Sequence, residues 1–160
     1  MDDLPYKQFK IRAFRNSDLD AVMGMERACF PKHIAWTRAQ YENILYDPEL
    51  VFFVAYDGST LAGSAFAFVN CGPDENETWF NGNVVGKQYR RQGLGREFVK
   101  LRLVVGALSG DESACVHIPV SNKASIAMHR VMGFEGHDRI RKYYGDVEDA
   151  LCMRKVIKRW

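Results

Sequence analysis

The densest chemical signal in the chain is Arg90-Arg91-Gln92-Gly93-Leu94-Gly95, which sets two guanidinium groups and two glycines within six residues. The apolar pair Val84-Val85 precedes it, and Leu94, Phe98, Leu101, Val105 and Leu108 follow at helical spacing. A strand, a glycine-rich turn and a helix start, in that order, bring unpaired backbone N–H groups together, and the helix dipole adds about half a positive charge there. Gly93 and Gly95 let the backbone approach a ligand, while Arg90, Arg91 and Arg96 supply donors suited to phosphate. That is anion-binding chemistry. A tight strand-to-helix turn with a solvated basic rim uses the same residues, and glycine spacing alone does not separate the two.

Proton and thiol chemistry have fewer candidates. The histidines are His33, His117, His129 and His137, and an imidazole with an ordinary pKa of about 6.5 suits proton acceptance near neutral pH. Cys29, Cys71, Cys115 and Cys152 are scattered, without metal-ligand or disulfide-framework spacing. The expectation is reduced core thiols in a cytoplasmic protein, with no metal site.

A chain of 160 residues fits one domain spanning 1–160, large enough for a real core. Its hydrophobic fraction of 47% and charged fraction of 26% argue against disorder. A net charge of +2 is too small to imply nucleic acid, although Lys87 to Arg102 holds six basic residues against one acid, Glu97. Asp2, Asp3 and Pro5 do not read as a signal peptide, and no apolar run is long enough to span a membrane.

The elements that must position these groups follow from pattern. Phe9 to Phe14 alternates apolar and basic residues as a half-buried strand does. Ser17 with Asp20 reads as an N-cap box for a helix to about Cys29, with Leu19, Val22, Met23 and Met25 or Glu26 on its inner turns. Thr37 caps a second helix through Leu45, which Asp47-Pro48 stops. Val51–Tyr56 and Leu61–Val69 flank the turn Asp57-Gly58-Ser59-Thr60 as a hairpin. Asn70 to Thr78 reads as a polar loop, and its Asp74, Glu75 and Glu77 are either solvated or an acidic rim for a cationic amine. Trp79 to Val85 is the strand that enters the glycine motif. Ser113 to Pro119 is a strand with Cys115 and His117 on one face. Ser121 or Asn122 caps a helix that ends at Gly133, and Phe134–Ile140 and Asp149–Val156 close the chain as a strand pair joined through Lys142-Tyr143-Tyr144-Gly145. The order β-α-α-β-β-β-α-β-α-β-β is a mixed α/β domain.

At this point the chain resembles the GNAT N-acetyltransferase superfamily. Arg90 to Gly95 matches its R/Q-x-x-G-x-G/A acetyl-CoA motif, and Ser121-Asn122-Lys123-Ala124-Ser125-Ile126-Ala127 through Gly133-Phe134 is similar to its second signature. Within the superfamily, Tyr143-Tyr144 followed by Glu148-Asp149-Ala150 looks like the RimI-type protein N-terminal acetyltransferases. The resemblance implies an α/β (α+β) GNAT fold, with a mixed, mostly antiparallel sheet of about seven strands and about four helices. It implies direct transfer of acetyl from acetyl-CoA to a primary amine, with no covalent enzyme intermediate. Backbone groups of Asn83, Val84 and Val85 would pair with pantetheine between splayed strands. The amides of Arg91, Gln92, Gly93, Leu94, Gly95 and Arg96 would hold the pyrophosphate, and Asn122 would touch the cofactor.

His117 stands five residues before Asn122, where relatives place a glutamate or a histidine as base; the other reading is a strand histidine satisfied by a neighbour. His129 stands where the family usually has a tyrosine as general acid, so either a protonated imidazole or Tyr143 or Tyr144 would fill that role. The two tyrosines line the peptide entrance in RimI-type relatives, although Lys142 stands where those relatives often carry asparagine. Trp36 either packs or lines a substrate groove. The acceptor expected is the N-terminal α-amine of a protein or peptide, in a monomer or homodimer. A small-molecule amine (polyamine, amino acid or aminoglycoside) and a non-catalytic acyl-CoA-binding module are the alternatives.

Overall fold

Alternation in the sequence becomes a one-sided strand at the start of the chain: Phe9 and Ile11 are buried while Lys10 between them is exposed. The computed structural model describes residues 3–157; Asp2 lies outside them. The described residues form β1 (Leu4–Tyr6), β2 (Phe9–Ala13), α1 (Leu19–Cys29), α2 (Arg38–Ile44), β3 (Leu50–Asp57), β4 (Thr60–Cys71), β5 (Glu77–Val85), α3 (Leu94–Ser109), β6 (Ser113–Pro119), α4 (Lys123–Val131), β7 (Glu135–Ile140) and β8 (Ala150–Val156). The strands hydrogen-bond in the order β1-β2-β3-β4-β5-β6-β8-β7. β5 and β6 run parallel, whereas β1/β2, β2/β3, β6/β8 and β7/β8 run antiparallel.

This is the expected α/β fold with one strand more than the seven anticipated. The addition is β1, three residues long and containing Pro5, which turns back on β2 through Lys7 at φ +55°. Proline is tolerated there because β1 is the last strand of the sheet.

Chain contacts divide into two units. The first holds the residues up to Ala67 together with Gly82–Phe98, and the second holds Phe68–Asn81 together with Val99 onward. In the first, the start of α1 differs from the expected Ser17 box. Asn16–Asp18 forms a short 3-10 turn, and the Asp18 carboxylate accepts the Arg15 N–H at 2.8 Å, both Arg12 Nη groups at 2.8 Å and the Tyr56 hydroxyl at 2.7 Å. The bidentate pair with Arg12 on β2 fixes the acid one residue beyond Ser17. α2 begins as expected, with Thr37 and Gln40 capping reciprocally. Glu26, rather than Met25, joins Leu19, Val22 and Met23 as a buried α1 residue, and its carboxylate accepts the Trp36 N–H and the Tyr41 hydroxyl, each at 3.1 Å. Trp36 then packs on Phe66 and Tyr41 with centroids 5.0 and 5.5 Å away.

In the second unit, Glu77 and Thr78 belong to β5 and are buried, which corrects the loop reading and removes Glu77 from any acidic rim. Glu77 accepts Trp79 Nε1 at 2.7 Å and Ser113 Oγ at 3.2 Å and pairs with Arg154 at 3.5 Å. Arg102, counted with the basic stripe by sequence, is 1% exposed and lies over the Phe80 ring at 4.2 Å, donating to the Asn81 carbonyl at 3.0 Å. Lys87, Arg90, Arg91, Arg96 and Lys100 remain on the surface.

Candidate active site

The glycine motif lies in the first unit, on the turn from β5 into α3. Gly82 at φ +46° kinks β5, at a point where a Cβ would sit 2.3 Å from the Phe66 ring. Beyond the kink come Asn83, Val84 and Val85. Asn83 Nδ2 donates to the Gly95 carbonyl at 3.3 Å, tying strand to helix start. Its Oδ1 is buried and accepts no hydrogen bond among the described residues. Val84 is buried, and the Val85 carbonyl accepts Arg90 Nε at 3.2 Å and the Cys29 thiol at 3.8 Å.

In the turn itself Arg91 has φ +62° and Gly93 φ +91°. Left-handed residues alternating with ordinary ones are the backbone pattern of an anion-binding nest. A Cβ on Gly93 would fall 2.5 Å from the Tyr6 hydroxyl. The β1–β2 hairpin thus braces the turn: Lys7 Nζ donates to the Gln92 carbonyl, and Gln8 Nε2 donates to Gln92 Oε1 at 2.6 Å. Sequence reasoning missed this support because it missed β1. Leu94 is buried as the first α3 residue, Gly95 follows it, and Arg96 is exposed.

The second unit gathers His117, Tyr143 and Tyr144. β6 and β8 pair so that His117 faces Cys152 and Cys115 faces Arg154. The His117 ring is half-buried, with Cys115 Sγ 3.9 Å from its Nε2 and the Tyr143 ring edge-on at 4.8 Å. Tyr144 packs on Tyr143 at 4.9 Å and donates its hydroxyl to the His117 carbonyl at 3.3 Å. Burial, and then the positive charge of Arg154, hold the His117 imidazole below its ordinary pKa, with Glu77 acting against them. Burial likewise raises the phenols of Tyr143 and Tyr144 and the Cys115 thiol. At neutral pH the His117 imidazole is neutral and the phenols keep their protons.

His129 stands apart from this group. It is 1% exposed on α4, its Nδ1 lies 2.8 Å from the Ser125 carbonyl, and its ring meets Phe134 edge-on at 5.1 Å. Burial pushes its pKa down to about 4, against the hydrogen bond to Ser125 and with help from the charge of Arg102. The ring is therefore neutral, with Nδ1–H donating to Ser125, and Nε2 has no partner among the described residues. Asn122 caps α4, its Oδ1 accepting the Ser125 N–H at 3.1 Å. Trp36 belongs to the aromatic cluster of the first unit.

The profile of the acetyltransferase (GNAT) family matches residues 19–134, a span that contains both the turn and His117. The chain belongs to that family. An N-alpha-acetyltransferase of Sulfurisphaera tokodaii is 26% identical over 156 residues, covering 92% of each chain. The ribosomal protein bS18-alanine N-acetyltransferase of Escherichia coli is 28% identical over 148 residues, covering 89% of this chain and 94% of its own. The crystal structure of the ribosomal-protein-S18-alanine N-acetyltransferase from Escherichia coli superposes with a TM-score of 0.81 at 22% identity, over 95% of this chain and 96% of the other. As a GNAT protein the chain is an acetyl-CoA-dependent N-acetyltransferase.

The first unit suits that cofactor. A buried amide oxygen without a partner, Asn83 Oδ1, matches an amide N–H such as pantetheine carries. The nest at Arg91–Gly93, the start of α3 and three exposed guanidinium groups match a pyrophosphate.

Proposed function

We propose that the chain transfers acetyl from acetyl-CoA to the N-terminal α-amine of a protein or peptide, with His117 accepting the amine proton. The observation that carries this reading is the half-buried imidazole of His117 against the Tyr143 ring, where burial holds its pKa below the ordinary value. Names of relatives that refer to N-alpha and alanine N-acetylation support it.

Bound acetyl-CoA supplies a thioester, whose acetyl group is open to attack by a neutral amine. The turn from Arg91 to Arg96 holds its pyrophosphate, and Asn83, Val84 and Val85 orient pantetheine. Asn122 contributes through Nδ2, since its Oδ1 is committed to the cap. His117 takes the proton the amine must lose, directly or through water. Tyr144 fixes the β6 backbone at His117 and so positions the ring.

The acid role passes from His129 to Tyr143. A ring that binds its proton only near pH 4 is almost wholly neutral at pH 7 and has no proton to give. Tyr143 is 45% exposed beside His117, with its phenol kept protonated by partial burial. A thiol of pKa about 8.5 leaves readily, so this acid need not be strong.

An acetylation panel tests the proposal, reading thiol release with peptides of varied first residue, α-blocked lysine peptides, polyamines, amino acids and aminoglycosides. Turnover concentrated on free α-amino peptides is expected. Faster turnover of a free polyamine or aminoglycoside would move the acceptor to small molecules. Tight acetyl-CoA binding without turnover on any acceptor would make the chain a binding module.

A further inference from the structure

Cys115 and Cys152 lie 37 positions apart in the chain, yet their Sγ atoms are 3.5 Å apart. The antiparallel β6–β8 ladder brings this about, by setting Cys152 opposite His117 and one pleat from Cys115. One ligand atom from each of Cys115, His117 and Cys152 lies within 4.8 Å of the other two. We propose that these three side chains form a site for a thiophilic divalent cation, zinc first of all, and that filling it silences the acetyltransferase by occupying the His117 ring. The second half rests on His117 being the base; the first does not.

Geometry and charge both fit. Zn–S bonds of about 2.3 Å and Zn–N bonds of about 2.0–2.1 Å at tetrahedral angles require roughly 3.8 Å between sulfurs and roughly 3.6 Å from sulfur to nitrogen. The observed separations are 3.5 Å between the sulfurs and 3.9 Å from Cys115 Sγ to His117 Nε2. Each of these two differs from the requirement by a few tenths of an ångström, and the third edge, Cys152 Sγ to the His117 ring, lies within 4.8 Å, so closing it to roughly 3.6 Å takes up to about 1.2 Å of side-chain adjustment. Two sulfurs and an imidazole are soft and borderline ligands, which select zinc, cobalt(II) or copper over magnesium and calcium. On binding, both thiols release their protons to solvent. Two thiolates, a neutral imidazole and a divalent ion then form a centre of zero net charge. Such a centre can stay largely buried next to the Arg154–Glu77 pair, which is already balanced. Three protein ligands leave a fourth position for water on the side where His117 is half-exposed.

Spacing along the chain hides this arrangement. Cys-x-His on one strand with a distant cysteine matches no metal motif, and only the strand register assembles it. The expectation of no metal site rested on that spacing.

The test titrates the whole protein with Co²⁺ and with Zn²⁺ in buffer free of thiols and chelators. An equimolar tetrahedral cobalt–thiolate spectrum is expected, together with a zinc-dependent rise in Tm. Cys115→Ser, Cys152→Ser and Cys152→Ala should each weaken binding by about tenfold or more, while metal-free Tm values show that the variants are folded. Zinc should inhibit the wild type and leave the cysteine variants active. Failure to form an equimolar complex, or equal binding by wild type and all three variants, overturns the site. Binding to wild type without inhibition keeps the site and removes His117 as the base.

Discussion

The buried imidazole of His129 gives the sharpest test of how this chain handles protons. In the folded protein it binds a proton only near pH 4; in the unfolded chain it does so near 6.5. Between those values the unfolded state holds a proton that the folded state excludes, so stability falls as pH drops from 6.5 toward 4 and levels off below both. The full gap corresponds to about 3.4 kcal/mol, of which about 2.5 kcal/mol is already lost at pH 4.5. His129→Phe removes this penalty and also removes the Nδ1–H bond to Ser125, at a cost of about 1 kcal/mol. The two stability curves should therefore cross: wild type more stable at pH 7, the variant more stable at pH 4.5. Urea denaturation across that range measures it. Activity supplies the companion measurement, because a ring that is neutral at pH 7 has no acidic proton to transfer to a leaving thiolate. The kcat of His129→Phe should stay within about fivefold of wild type, while that of His117→Ala falls by about 10²–10⁴. Parallel stability curves, or equal kcat losses for the two variants, would refute the reasoning.

Gly93→Ala places a left-handed alanine, costing about 1–2 kcal/mol, against the Tyr6 hydroxyl; KM for acetyl-CoA should rise about tenfold with kcat at saturation little changed, and an unaltered KM would detach this turn from the cofactor. Asp18→Asn removes a carboxylate that Arg12, Tyr56 and the Arg15 N–H hold at about 2 against its desolvation, down from 3.8. That difference contributes about 2.4 kcal/mol above the ordinary value and disappears as pH falls through about 2, so the variant should lose about that much in urea at pH 7 and show a flatter acid limb. Tyr143→Phe should lower kcat about tenfold, less than a full general-acid deletion because the thiol leaves easily; full activity in rapid-quench assays would return the acid role to solvent.

Local signals carried much of the fold. The cap of α4, expected at Ser121 or Asn122 and found at Asn122, the bounds of β6 and the Thr37 cap of α2 each depend on neighbours a few residues apart, and each falls where the spacing predicts. What escaped depends on partners far along the chain. Glu77 follows Asp74 and Glu75 and so looked like loop, until β6 and β8 supplied Ser113 and Arg154 to receive it. Arg102 looked like the end of a basic stripe, but its helical phase turns it onto Phe80. β1 is too short and too proline-like to register as a strand, although it supplies the Tyr6 and Lys7 contacts that brace Gly93 and Gln92. Of the candidate site residues, the motif positions were legible because a turn is a local object. The Cys152 neighbour of His117 was not, because a strand register is not local.

Polar groups are buried in two ways in this chain, and the second bears on the acceptor. Around Asp18 the first unit buries a charge and satisfies it with a bidentate guanidinium, a hydroxyl and an amide. Around β6 and α4 the second unit buries groups that stay neutral: burial is the leading influence on His117, His129, Tyr143 and Tyr144, and in each case it favours the uncharged form. The base proposed at His117, weakened in such a setting, cannot readily strip a lysine ammonium of pKa about 10.4, but it can serve an α-amine of about 7.7–8.0. At pH 7 roughly a tenth of the α-amine is already neutral, against fewer than one lysine in a thousand. The base then needs only to receive the proton shed as the acetyl–nitrogen bond forms. The same neutrality is what a zinc ion would exploit, since a lone pair kept free of protons for an amine is equally free for a metal.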